Sequence, residues 1–573
     1  MNTLFYKKVI GPVLFFFIAF VSHSQEIKKD TTKANELDEV LVSALRVTSK
    51  TPVSFSNLNK KEIASRNLGQ DIPTLMNFMP SVVTTSDAGN GVGYSGIRVR
   101  GSDATRVNVT INGIPYNDSE SQGTFWVNMP DFASSLESLQ LQRGVGTSTN
   151  GAGAFGASLN MLTDNYAQKS NGEISNSYGS FNTRKHTVKF STGLMNEHFE
   201  LAGRVSNLSS DGYIDRASSD LKSYFLQGTY VGKTTLIKAL AFGGKEKTYQ
   251  AWYGVDATTM ERNRTYNFAG MYTDTNGNTQ FYNNQTDNYQ QDHYQLHWNE
   301  KISNRWNTNL AFHYTKGEGY YEEYKYNEPV EVYPNILPTK TVENSAGDLV
   351  PGTDLIRQKW LDNDFYGVVT SAVYKEKRYE ISGGASFNQY AGLHYNEVIW
   401  SDLWTAPKPG GALEPFRYYT DKGLKNDGNA YAKLFYHVND KLQVFGDLQL
   451  RYLTYNFNDA NLLNITNKYL FFNPKAGLNY AFKDSSNLMF YVGRSAHEPT
   501  RDEFVQSTPA SLPKAEYMVD FELGYTKQIN HWNIIGNLYN MVYNNQLVLT
   551  GKLNDVGSPV RENVKQSYRR GIE

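Results

Sequence analysis

The 573-residue chain has no cysteine, which excludes disulfides, thiolate chemistry and a lipoprotein-type signal. It has almost no net charge: 56 basic residues against 57 acidic ones leave −1, which gives no electrostatic case for binding nucleic acid. Beyond Val21 it also lacks any apolar run near the roughly 20 residues that a membrane-spanning helix needs. A mean hydropathy of −0.54 reads, taken alone, as a water-soluble protein. Yet the chain carries 40 Tyr, 30 Phe and 46 Gly. A transmembrane antiparallel β-barrel reconciles these facts. Only alternate residues meet lipid, the lumen is polar, and aromatic girdles mark both interfaces.

The first 24 residues read as a signal peptide. Lys7 and Lys8 form a basic start, Val13 to Val21 an apolar stretch, and Ser22-His23-Ser24 a small-residue cleavage site, with Gln25 as the mature start. Residues 25–48 are a polar linker containing one apolar strip, and residues 49–165 are rich in Gly, Ser and Asn. In that second region a helix is expected over Asp71–Phe78, ended by Met79-Pro80. Short β runs are expected at Gly96–Arg100 and Val107–Ile111, giving a small α+β domain.

Residues 166–573 follow another grammar, of alternating strands about ten residues long. In one, Tyr517, Val519, Phe521, Leu523 and Tyr525 take one face and Asp520, Glu522 and Gly524 the other. In a second, Val444, Gly446, Leu448, Leu450 and Tyr452 oppose Gln443, Asp447, Gln449 and Arg451; in a third, Phe199, Leu201, Gly203 and Val205 oppose Glu200, Arg204 and Ser206. Short turns fall near 194–198, 232–234, 301–304, 375–378, 439–441, 483–486 and 528–531. Long segments at 208–221, 246–289, 317–362, 391–428, 454–472, 495–515 and 543–566 alternate with them without a break. This gives about fifteen strands, with a sixteenth starting near Ser567. An odd count does not close an ordinary bacterial barrel, so the wall is expected to be incomplete and the chain a C-terminally truncated fragment.

Several segments then carry a resemblance. The strip Leu37-Asp38-Glu39-Val40-Leu41-Val42-Ser43-Ala44 is similar to a TonB box, the segment of TonB-dependent outer-membrane receptors that an inner-membrane partner grips. Read physically, it is an extended β-prone strip suited to being added as an edge strand, or else the ordinary first strand of the small domain. Gly96–Gly101, Arg106–Pro115, Leu136–Gly144 and Gly151–Asn160 resemble the family's plug motifs in order, with Asn112 where Asp is commoner and Ala157-Ser158 replacing a more usual Gly-Val pair. Asn473–Leu478, Arg494–Arg501 and Arg561–Glu573 resemble barrel segments. The resemblance covers nearly the whole mature chain. It implies a plug inside a barrel of 22 strands, of which 15–16 are present, and uptake powered through TonB and its inner-membrane energising complex. Between the signal and the box there is no carboxypeptidase-like extension, which tilts the substrate toward an iron–siderophore, haem or cobalamin-like chelate.

The resemblance also assigns site residues. Arg100 and Arg143 of the plug pair with Glu522 and Glu573 of the barrel as an orienting lock. Ligand contacts are expected from the plug segment following Pro115 (Asn117, Asp118, Glu120, Gln122, Phe125 and Trp126), which mixes acceptors with aromatics, and from Trp252 and Tyr253 of a long loop. The partners implied are TonB, outer-membrane lipid and a small chelate, with the chain a monomer in the outer membrane. No cofactor, metal or catalytic group is implied. Two GxGxxG matches, at Gly91/Gly93/Gly96 and Gly151/Gly153/Gly156, each precede a β run instead of opening a helix, so they do not read as nucleotide sites. His293 and His297, four apart on a strand, are separated by about 13 Å, too far to share a metal. A passive channel and an adhesin or barrel enzyme are the competing readings. A porin has no need of so long a region ahead of its first strand.

Overall fold

The computed structural model describes residues 46–573 except 152, 334, 403–414, 459–463, 483, 508–510 and 554–558. The expected signal peptide and TonB box, Asp38 to Ala44, lie outside the described residues. Among those described, no helix is long and apolar enough to cross a membrane.

The fold is a transmembrane antiparallel β-barrel with an α+β plug in its lumen. The plug comprises β1 (Phe55–Asn59), α1 (Lys60–Arg66), α2 (Ile72–Leu75), β2 (Val82–Ser86), β3 (Ser95–Val99), β4 (Val107–Ile111), β5 (Ile114–Pro115), β6 (Leu136–Arg143) and β7 (Ala157–Thr163). Its main sheet is ordered β1-β6-β7-β4-β5; β4 and β7 run parallel, and β2 pairs with β3 alone. Asn112-Gly113 joins β4 to β5 with both residues at positive φ, as a two-residue type I′ hairpin turn requires. The expected helix at Asp71–Phe78 is cut to four residues, with Pro73 in its first turn. The helix α1 was not anticipated. A capping box starts it: the Asn59 side chain accepts from the Glu62 amide while the Glu62 carboxylate accepts from the Asn59 amide. Leu139, Leu141, Val107, Val109, Leu159 and Met161 build the plug core, which continues into Phe225, Leu240 and Phe242 of the surrounding wall.

The wall runs through β8 (Lys169–Tyr178), β9 (Arg184–Gly193), β10 (Phe199–Ser210), β11 (Ser219–Val231) and β12 (Thr235–Tyr249). A loop carries α3 (Ala257–Arg262), β13 (Met271–Thr273) and β14 (Thr279–Phe281). There follow β15 (Thr286–Lys301), β16 (Trp306–Pro329), the four-residue β17 (Lys340–Glu343), β18 (Leu349–Lys375), β19 (Tyr379–Ser401) and β20 (Phe416–His437). The remainder are β21 (Leu442–Asn458), β22 (Asn464–Ala481), β23 (Ser486–His497), α4 (Arg501–Val505), β24 (Glu516–Ile529), β25 (Trp532–Leu553) and β26 (Pro559–Ile572).

Sixteen long strands thus form the wall, β17 adding only at the end of β18, and the ring closes with β26 next to β8. Sixteen falls within the 15–16 strands expected, and an even count lets an antiparallel ring close. The last strand begins at Pro559, not near Ser567. The strict alternation of short and long connections also fails once, because the turn after β8, residues 179–183, is short although it lies at the long-loop end. Strands run further than expected toward that end; β18 has 27 residues. Beyond the membrane band both faces of the sheet are wet, so the ladder continues while the apolar alternation that betrays it in the sequence disappears.

Within the band the alternation holds. Leu448, Leu450, Tyr452, Phe521, Leu523 and Tyr525 are exposed on the outer face, while Asp447, Gln449, Arg451, Asp520 and Glu522 are buried in the lumen. Gly203 takes an outer position without a side chain because the Phe190 ring covers it.

Candidate functional site

The chemistry concentrates where plug meets wall. Arg100 and Gly101 form a tight turn between Val99 and Ser102, both at positive φ, which pushes the Arg100 side chain off the plug toward β24 and β26. Its Nη1 lies 2.8 Å from Glu522 Oε1, and its Nε and Nη2 each donate at 3.0 Å to the two oxygens of Glu573. This is a bidentate fork. Arg143 Nε donates to Glu573 at 3.0 Å and its Nη1 to Ser56 Oγ at 2.7 Å. The Ser54 hydroxyl donates to the second Glu522 oxygen at 2.5 Å. Gly144 lies beside this cluster at φ +74°, and a Cβ there would run into the Asp520 and Glu522 carboxylates. The structure therefore brings together all four of the charges assigned from the sequence.

Two further ionic attachments escaped the sequence reading. Arg106 Nη2 contacts Glu516 at 2.7 Å and Glu503, on α4, at 3.0 Å; Asp103 nearby takes Arg561 of β26 at 2.9 Å. Arg106 opens the motif quoted above, so its position was visible though its partners were not. Past β8 from β26, Asp131 binds Lys185 of β9 at 2.7 Å and Arg204 of β10 at 3.3 Å, and Asp164 binds Lys189 of β9 at 2.9 Å. Nothing local marks Asp131 or Asp164 in the sequence.

The segment after Pro115 lies at the long-loop end, but most of it is braced inward. Asn117 is spent on backbone: its Nδ2 donates to Val107 O and Gln122 O, and its Oδ1 accepts from the Val109 amide. Asp118 caps the turn by accepting from the Glu120 and Ser121 amides. Glu120 is anchored to the wall, accepting from Tyr455 at 2.6 Å and Tyr390 at 3.0 Å, with His394 Nε2 at 2.6 Å. Burial alone would raise its carboxyl, but the His394 ring and the Arg501 guanidinium hold it at about 2. Gln122 donates to the Glu498 carbonyl.

Trp126 corrects the sequence reading outright. It is 2 % exposed in the plug core, in a turn packed between β3 and the wall strands β12 and β15, so it presents no surface to a ligand. Phe125, its neighbour, is 41 % exposed and packs edge-on against Tyr94. Trp252 meets the same Tyr94 at 5.5 Å, and the Tyr253 hydroxyl donates to Glu323 at 3.1 Å. An aromatic rim of plug and loop residues results. Beside it, a cavity of about 80 Å³ is bounded by Asn117, Asp118 and Gln122 of the plug and by Asn388, Tyr390 and Lys425 of the wall.

Residues 47–158 match the family model for the TonB-dependent receptor plug domain, and residues 239–573 match that for the TonB-dependent receptor-like β-barrel. Among solved structures, the ferric citrate transporter FecA in its unliganded form superposes with a TM-score of 0.69 at 13 % identity, over 91 % of this chain and 74 % of that one. The copper transporter OprC gives 0.68 at 12 %, over 90 % and 77 %. The ferric-catecholate import receptor Fiu from E. coli K12 gives 0.65 at 15 %, over 92 % and 78 %. At these identities the likeness is one of fold. No curated protein matches the sequence.

Proposed function

Since the chain belongs to the TonB-dependent receptor family, we propose that it takes up a scarce metal chelate, of the ferric siderophore or haem class, across the outer membrane. The carrying observation is the seated plug. A folded domain lies inside the ring and is tied to it by ion pairs, buried at Arg100, Arg106, Arg143 and Asp131 and partly buried at Asp164. Such a gate does not open by diffusion of solute. Breaking one buried pair costs about 3–5 kcal/mol, so passage needs work from the periplasmic side. On this reading residues 38–44 are the handle that TonB grips, the four-charge cluster of Arg100, Arg143, Glu522 and Glu573 is the lock it strains, and the rim of Phe125, Tyr94, Trp252 and Tyr253 is where ligand first lands. Tyr and Trp suit a flat or aromatic chelate, and FecA and Fiu share the fold.

The test is growth on single ferric chelates, haem included, under iron limitation. It compares cells with and without the chain, and with and without the inner-membrane energising complex. At least one chelate should support growth only when both are present, and deletion of residues 38–44 should abolish that growth while surface binding persists. Uptake that continues unchanged without the energising complex would make the protein a passive channel.

A further inference from the structure

The ion pairs holding the plug fall on one run of the ring, from β19 through β26 and, past β8, on β9 and β10. Outside that run, apart from Asp287, which accepts from the Tyr94 hydroxyl, β15 meets the plug through neutral side chains. Asn112, at the tip of the β4–β5 hairpin, donates to Gln295 at 3.3 Å. The Tyr116 hydroxyl donates to Gln291 at 3.3 Å, and its ring lies 5.1 Å from His293.

The wall behind this contact has an unusual inner face. His293, Gln295, His297 and Asn299 of β15 point inward in succession, and pairing sets His313 of β16 opposite Gln295 and Asn309 opposite Asn299. His313 Nε2 shares a hydrogen bond with Asn388 Oδ1 at 2.9 Å, and His297 Nε2 with Gln295 Oε1 at 3.1 Å. Four atoms on this patch, His293 Nε2, His297 Nδ1, His313 Nδ1 and Asn299 Nδ2, are buried with no partner. Such groups are costly and call for an explanation. No three of the described His, Asp or Glu side chains converge as a metal site.

The patch is also continuous with the cavity at the rim. Asn388 and Phe365 line that cavity, and the His313 ring packs against Phe365 at 4.8 Å. From His293 to Asn299 the ladder descends about 20 Å toward the short-turn end.

We infer that the solute crosses along β15, β16 and β18, where strain on the Arg100–Arg143 lock swings the hairpin Asn112–Tyr116 away while the remaining ion pairs keep the rest of the plug seated. The unpartnered ring and amide nitrogens then form a transit lane. They offer hydrogen bonds to a polar solute rich in carbonyl and hydroxyl groups, and as neutral groups they exchange partners without trapping it as a fixed charge does. This inference rests on the uptake reading.

The absence of cysteine makes the test free of background labelling. Single cysteines replace lane residues (His297→Cys and, as a second variant, Gln295→Cys) or lumen residues on or beside the charged strands (Thr229→Cys on β11, bonded to Glu200 of β10, and Ser495→Cys on β23). Fluorescein maleimide is added outside cells that carry the energising complex, with and without collapse of the proton gradient. Energised cells should label the two lane sites several-fold faster and leave Thr229→Cys and Ser495→Cys unchanged. An oxidised Asn112→Cys/Gln295→Cys pair should abolish the gain at His297→Cys. An oxidised Ser134→Cys/Thr187→Cys pair, both positions one hydrogen bond from Asp131, should not. Equal gains at all sites, or gains at Thr229→Cys and Ser495→Cys alone, overturn the lane and leave energised uptake standing. No gain at any site, at any gradient, overturns both.

Discussion

Plug and wall are built on opposite principles from the same amino acids. In the plug, Leu139, Leu141 and Leu159 have no exposure and charges point outward. In the wall, Leu448 and Leu450 are half exposed and Leu470 is 66 % exposed, while Arg451, Asp447 and Glu522 are buried. The plug is a small water-soluble fold, and the wall is turned inside out because lipid is its outer solvent. The surface where they meet mixes apolar patches, such as Phe132 against Phe225 and Phe242, with buried ion pairs, and the pairs are the part that one lost partner undoes. Paired charge holds firmly when complete and fails sharply when one partner is lost, which suits a gate that has to be both closed and openable.

The largest test of this contrast is Arg106→Ala. It strands Glu516, whose side chain is 0 % exposed, without its cation and leaves Glu503, 2 % exposed, only Arg561 at 3.9 Å. The expected loss is about 3–5 kcal/mol of plug seating, with the wall intact. Limited proteolysis should nick residues 46–165 at lower denaturant than in the parent, while the heat-modifiable mobility of the folded barrel on gels stays the same. A plug as resistant as the parent's would show that apolar packing, not charge, seats it.

The next test addresses the wall. Leu450→Arg puts a cation on the outer face of β21, and in lipid it should cost about 2–4 kcal/mol near the midplane. It would be read as a lowered denaturant midpoint for refolding into vesicles. Leu450→Ala keeps the face apolar and should cost less. In a water-soluble sheet a half-exposed Leu would accept Arg with little change, so a neutral result would break the contrast between the two regions.

How much of this was legible beforehand follows from the same contrast. Period-two alternation gave the faces of β10, β21 and β24 because lipid and lumen impose it on every residue. The outer ends of β16 and β18 were read as loop, since no apolar face marks a strand wet on both sides. In the plug, α1 was missed although Asn59 and Glu62 stand at capping-box spacing, and Trp126 was assigned to ligand because an aromatic in a loop looks the same whether it faces in or out. The pairs of Arg100 with Glu522, Arg106 with Glu516 and Arg143 with Glu573 join residues more than four hundred positions apart. Arg100 and Arg143 could be placed only through the family's motifs, and Asp131, with no motif, was invisible. Glu120 was selected as an acceptor for ligand, yet three wall side chains already occupy it.

The smallest effect at neutral pH is expected at Asp71, a buried plug acid with no cation to compensate it. It is buried, its carboxylate accepts from Ser95 Oγ at 2.9 Å, and burial pushes it up to about 8 against that single hydrogen bond. The unfolded chain loses this proton near pH 4, while the seated plug holds it until about pH 8. Between those values the folded state binds the extra proton, so stability falls as pH rises and levels off once the folded group has ionised. Asp71→Asn keeps an acceptor for Ser95 and removes the titration. At pH 6, where the parent carries a neutral carboxyl, variant and parent should resist protease alike. At pH 9 the variant should be the more resistant, and taking the difference between the two chains cancels every other titration. A variant that tracks the parent at both pH values would mean that water reaches Asp71 in the seated plug, and the plug's interior would then be wetter than the wall's.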